Sequence, residues 1–184
     1  MESLMIIILV IIVLVCIISI FATITYNKFQ DYIIRINEVE SIIDNSLRNK
    51  YDLINRAIPI IKTNINDKEE KDIFENIVKL RSRKVGNFEL YRVLIEASNE
   101  LGGLKEKHPK IKDSDEIKKI VSQIDNIDLK VDNSIDYYND NITIYNSLLK
   151  KFPSNIIATF CKYKEKLFFD RKDMSDEDYE DFKL

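Results

Sequence analysis

The sequence predicts an all-α protein: an N-terminal single transmembrane helix that continues into an antiparallel bundle of three to four long helices. Three observations carry that prediction. Residues 4–24 are an unbroken apolar run, softened only by Cys16, Ser19 and Thr23. Helix breakers are scarce, with three Gly and three Pro in the whole chain, and a chain with few breakers favours long helices. Beyond the run, apolar residues recur at steps of three or four, the period of a helix face, instead of alternating as in a strand.

The first element is the anchor, residues 1–25. At about 1.5 Å of rise per residue the run spans roughly 31 Å, the thickness of a bilayer's hydrocarbon core. A cleaved signal peptide fits poorly. Only Met1, Glu2 and Ser3 precede the run, so there is no basic leader, and the run is longer than the roughly 7 to 15 residues of a signal's apolar core. The small residue best placed for cleavage, Ala22, has Ile20 two positions before it. A lipoprotein site fits no better, because Leu14 and Val15 precede Cys16 where small residues are wanted. No basic residue precedes the span, whereas Lys28 and Arg35 follow it. Basic flanks stay on the cytoplasmic side, so the bulk of the chain is expected in the cytoplasm. Cys16, Ser19 and Thr23 share one face of the anchor, a small-residue stripe that would allow a homo-oligomer.

The second region, residues 26–169, reads as one helical domain. Phe29, Ile33, Ile36, Val39, Ile43, Leu47, Tyr51, Ile54, Ile58, Ile61 and Ile65 form one face of a helix running straight out of the anchor. Pro59, which removes a backbone donor, is expected to kink that helix or start a new one. After the polar reversal at residues 66–70 a second stretch carries Ile73, Ile77, Leu80, Phe88, Tyr91, Leu94, Ile95, Ser98 and Leu101, interrupted near Gly86 and Asn87. It is expected to stop at Gly102 and Gly103 or soon after, because Pro109 bars a continuous helix through His108. The third stretch is the strongest. It follows a turn at residues 112–115, where Asp113 or Ser114 can cap, and holds the period from Ile117 through Ile124, Val131, Tyr138 and Tyr145 to Phe152. Pro153 ends it, and Ser154 or Asn155 can cap a short apolar helix beyond. Phe152 is expected to dock into the bundle as the chain turns back. Residues 170–184 form an acidic tail, expected to be frayed and solvated.

Composition excludes several classes of function. A net charge of −3 lacks the basic excess of a general nucleic-acid binder. Two cysteines, one inside the anchor and the other Cys161, make no disulfide framework. The lone histidine, His108, has Lys105 rather than a carboxylate three residues before it, so the Glu-x-x-His pair of di-iron bundles is absent. Gly102-Gly103 lacks the lysine and strand of a phosphate loop. Asn141-Ile142-Thr143 matches a glycosylation sequon but falls inside a predicted helix. No catalytic residue, metal site or cofactor is expected. The basic cluster Lys79, Arg81, Arg83 and Lys84 suits either a solvated helix end or contact with anionic lipid headgroups or the acidic tail.

Certain residue groups are distinctive together. Tyr26-Asn27 follows the anchor, and Tyr138-Asn139 and Tyr145-Asn146 lie seven residues apart on one helix face, where buried polar groups could fix register or, more simply, tyrosines could be half-buried beside exposed asparagines. With them stand Lys50-Tyr51-Asp52-Leu53-Ile54, Arg81-Ser82-Arg83, His108-Pro109-Lys110-Ile111-Lys112 and Phe152-Pro153-Ser154-Asn155. On these motifs the chain resembles the LemA family over nearly its whole length, up to about Asp170. The sequence departs from the family where relatives carry Asp-Leu-Ile-Pro-Asn and this chain has Asp52-Leu53-Ile54-Asn55-Arg56. It departs again where a Glu and an Arg-Arg pair are replaced by Asp128 and Ile135-Asp136. The resemblance implies a bacterial membrane-anchored antiparallel helical bundle with no established enzymatic activity.

The expectation at this point is a non-enzymatic scaffold or adaptor in the bacterial inner membrane, whose partners are the lipid bilayer and proteins the sequence does not identify. An accessory subunit regulating a membrane enzyme or protease system is the alternative.

Overall fold

The computed structural model describes residues 1–65 and 86–169. Among these residues the protein is all-helical, with α1 at Glu2–Asn64, α2 at Asn87–Lys107, α3 at Pro109–Lys112, α4 at Asp115–Lys150 and α5 at Ser154–Phe160. The helical stripe at Ile73, Ile77 and Leu80, the cluster Lys79, Arg81, Arg83 and Lys84, and the tail at residues 170–184 lie outside the described residues.

The 63-residue α1 begins as a candidate membrane span. Its best window has a mean hydropathy of 3.7, and none of that window is buried. Ser19 Oγ donates to the Val15 carbonyl at 2.8 Å and Thr23 Oγ1 to the Ser19 carbonyl at 2.9 Å. Both hydroxyls are thereby satisfied within their own helix, as lipid surroundings require. No new helix begins at Pro59, for α1 continues through it to Asn64. Pro59 faces solvent, where water can serve the Asn55 carbonyl that loses its donor. The helix also needs to persist for only one further turn.

Two compact units divide the chain. The first comprises residues 1–38 and 137–168. At its centre Phe29 is fully buried, with the Tyr145 ring edge-on at 5.8 Å and the Tyr163 ring tilted at 5.0 Å. Ile36, Tyr138, Ile142 and Ala158 complete this apolar centre. The second comprises the described residues of 39–136 together with Phe169. It buries Ile43, Leu47, Ile54 and Ile61 of α1, Leu94 and Leu101 of α2, Ile111 of α3, and Ile117, Ile124 and Val131 of α4. Phe169 stacks on Phe88 at 4.4 Å and meets Tyr91 edge-on at 5.4 Å. The register of α1 against α4 runs in opposite senses, since Phe29 meets Tyr145 whereas Lys50, later in α1, meets Asp128, earlier in α4. The long helices are antiparallel, as the sequence predicts.

Helix ends follow local chemistry with one exception. Ser114 Oγ accepts from the Ile117 amide at 3.4 Å, an N-cap for α4. His108 is extended, with φ −116° and ψ 104°, the conformation that a following proline imposes, and it separates α2 from α3. The exception is Gly102-Gly103, which lies inside α2 instead of ending it. Neither glycine has a positive φ, so neither acts as a left-handed cap, and α2 runs on until Pro109 forces the stop. At the end of α5, Lys162 takes the left-handed conformation with φ 57°. Its amide bonds the Thr159 carbonyl at 3.2 Å and that of Tyr163 bonds the Ala158 carbonyl at 3.0 Å. This is a Schellman closure built without glycine.

Candidate functional site

The sequence-predicted residues do not converge. Tyr51 and Asp52 belong to the second unit, with Leu53 and Ile54 buried in its core, while Tyr26, Asn27, Tyr138, Asn139, Tyr145, Asn146 and the Phe152-Pro153-Ser154-Asn155 segment belong to the first. Arg81 and Arg83 lie outside the described residues. Three arrangements remain.

The first is a polar groove between α1 and α4, ≈ 950 Å³ in volume, lined by Asn49, Tyr51, Asp52, Asn55, Arg56, Gln123 and Asn126 with apolar contributions from Leu53 and Ile127. The helical period explains its polarity. Residues 49, 52 and 56 follow one another at steps of three and four, as do 123 and 126–127, so each helix sends one polar edge to the groove. The Tyr51 hydroxyl is buried and has no hydrogen-bond partner among the described residues, an uncompensated cost of roughly 1 to 3 kcal/mol. Asn55 Nδ2 donates to the Tyr51 carbonyl at 3.0 Å and so orients the edge. Amides, a carboxylate and a guanidinium along an open trough suit hydrogen bonding to a polypeptide. They do not make a nucleophile with its base.

Beneath the apolar stripe of the same unit sits an ion pair. Lys50 Nζ donates to Asp128 Oδ1 at 2.7 Å, with the lysine side chain 3% and the aspartate side chain 39% exposed. Sequence reasoning noted both residues only for their place in family motifs. The signal was available, since Lys50 falls between Leu47 and Ile54, and Asp128 between Ile124 and Val131, on faces that are otherwise apolar. Asp128 also lines a smaller cavity of ≈ 380 Å³, together with Ser98, Lys105, Glu106, Lys112 and Asp125 among others. Nearby on α2, burial and the charge of Glu96 hold the Glu100 carboxyl above its ordinary value.

The third arrangement accounts for the Tyr-Asn pairs. Asn146 grips the backbone of Lys166 at both ends, Nδ2 donating to the carbonyl at 2.8 Å and Oδ1 accepting from the amide at 3.0 Å. One helical residue thereby holds the extended chain that follows α5. Gln30 Nε2 donates to the Tyr163 hydroxyl at 2.7 Å, and the Tyr138 hydroxyl reaches the Leu167 carbonyl at 3.5 Å. Burial raises the Tyr145 phenol above its usual value, and burial raises that of Tyr163 against the opposing pull of Gln30. Tyr138 and Tyr145 are buried, and Asn146 is neither a register-fixing core residue nor an exposed one. Tyr26 and Asn27 are exposed.

The Phe152-Pro153-Ser154-Asn155 segment differs from expectation in two ways. Phe152 is 79% exposed and does not dock. The reason is that α4 stops at Lys150, so the helical period no longer carries residue 152 to the buried face. Ser154 does not cap α5 either. Its hydroxyl turns back and donates toward the Leu148 carbonyl at the end of α4, 2.6 Å away, and the Lys151 carbonyl, 2.8 Å away, which also accepts from the Asn155 amide at 2.9 Å. Cys161 is half-buried at the end of α5. Among the described residues no group of three or more His, Cys, Asp or Glu side chains is placed to hold a metal ion.

Among known protein families, the model of the LemA family matches residues 39–180. No curated protein and no solved structure matches the chain.

Proposed function

The chain belongs to the LemA family, and from that premise we propose a membrane-anchored helical scaffold that presents helix faces to partner proteins and has no catalysis of its own. The observation that carries the proposal is the continuity of α1. One unbroken helix begins as a fully exposed apolar run and goes on to supply Phe29, Ile36 and Ile43 to buried cores. The helix that carries the apolar run is thus itself a member of the bundle, so a partner bound to the bundle would be tethered to a membrane. The polar groove at Tyr51 and Asp52 supports a protein partner, because its unpaired hydroxyl and row of amides match the hydrogen-bonding needs of a peptide backbone. Lys28 and Arg35 favour a cytoplasmic bundle on a bacterial inner membrane.

Photocrosslinking tests the proposal. A photoreactive residue at Asp52 or Gln123 of the full chain, activated in native membranes, is expected to give a discrete protein adduct that is lost when the label is moved to exposed Leu129. An adduct with a membrane enzyme or protease would favour the accessory-subunit reading, and the absence of any adduct would count against both. For orientation, a reporter that fluoresces only in the cytoplasm, fused after Leu184, is expected to fluoresce. An active external phosphatase fusion at the same point would reverse the topology.

A further inference from the structure

We propose that α5 and the turn before it lie in the headgroup region of the same bilayer that holds α1, with Phe152, Ile156 and Phe160 inserted among the lipids. The inference rests on the membrane-anchoring reading and adds a second contact to it.

Exposure is the first observation. Phe152 is 79%, Ile156 58% and Phe160 88% exposed, an apolar surface whose cost in water no other described segment relieves. Ile156 and Phe160 are four apart and share one face of α5, while Ala158 on the opposite side is buried. Height along α1 is the second. Tyr145 meets Phe29, and the two helices are antiparallel, so the five residues from Tyr145 to Lys150 carry α4 about 7.5 Å toward the start of α1. The end of α4 then stands level with Ile24, where the apolar run stops. Burial on α1 agrees, for every residue up to Phe21 is exposed and cover begins at Ala22 and Thr25. Charge is the third. Residues 150–166 hold five lysines against one glutamate in a chain whose net charge is −3. Apolar side chains ringed by lysine at the end of a membrane span are the signature of an interfacial segment on anionic lipid. The Asn146 grip on Lys166 and the Phe29–Tyr163 contact hold the segment against the bundle, so insertion requires no unfolding.

The test places single environment-sensitive fluorophores on the full chain, in a Cys16→Ser, Cys161→Ala background, reconstituted into vesicles of phosphatidylcholine and phosphatidylglycerol. Ile156→Cys and Phe160→Cys report on α5, Ile12→Cys on the anchor, and Ile34→Cys on exposed α1 about 15 Å beyond the run. Labels at 156 and 160 are expected to shift to the blue and to be quenched by shallow lipid-borne quenchers, with the label at 34 open to aqueous iodide. If the label at 12 is quenched by lipid while those at 156 and 160 are as open to iodide as that at 34, the anchor stands and the inference falls. If the label at 12 is itself unquenched by lipid, the anchoring reading falls and takes the inference with it.

Discussion

Lys50 shows how a single residue can contradict the pattern around it and still be explained by its neighbour. Its ammonium is almost fully enclosed on an apolar stripe, and among the described residues it is Asp128, at 2.7 Å, that offsets that enclosure. The pair is unequal, because the aspartate keeps a solvated side. Asp128→Ala would strand a buried cation and is expected to cost about 3 kcal/mol. Lys50→Met would remove the buried charge and leave a carboxylate that water can serve, at a cost of about 1 kcal/mol or less. Urea titration of both variants in mild detergent, followed by helical circular dichroism, checks the order. A costlier Lys50→Met would show that the pair is held by something other than the enclosure of the lysine. The relation was not legible beforehand, since sequence places each residue on its own helix face but does not set the register between α1 and α4.

At the scale of the element, periodicity was legible, and so were the termini set by Ser114, which caps α4, and by Pro109, which stops α2. The stripes of α1 and α4 are buried where steps of three and four predict, because a long amphipathic helix can bury its apolar face in only one rotation. Proline and glycine inside a helix were the weaker guides. Pro59 sits near the end of a helix already held by its buried face, and the glycines at 102 and 103 are carried along by Leu101 and Leu104, both buried. Intrinsic propensity of about 1 kcal/mol per glycine is too small to break a helix anchored on both sides. Relieving that penalty should therefore stabilise the protein. A Cβ added at either position meets nothing within 4 Å, so Gly102→Ala and Gly103→Ala are each expected to add roughly 0.5 to 1 kcal/mol. Thermal unfolding of the two single variants measures it. A loss of stability would mean that the backbone at this point has to approach something closely.

For the molecule as a whole, the distribution of chemistry argues that folding depends on apolar contact and on no bound ion. Histidine occurs once, at a position between two helices whose amide and carbonyl are both engaged, the amide with Leu104 and the carbonyl with Ile111 and Lys112. The cysteine outside the apolar run ends α5 and packs half-buried. Carboxylates are spread over helix faces, where solvation is the ordinary reason for them, and the cores described above are built from Ile, Leu, Val and aromatic rings. The full chain in mild detergent and chelator is therefore expected to unfold cooperatively as a helical protein, with added magnesium, calcium or zinc leaving the midpoint nearly unchanged. Metal that bound the native state at a hundred times its dissociation constant would instead add about 2.7 kcal/mol and raise the midpoint visibly. Such a rise at a fixed stoichiometry would return the carboxylates, beginning with those near Asp125 and Asp128, to the position of ligands and would remove the ground for a purely structural bundle.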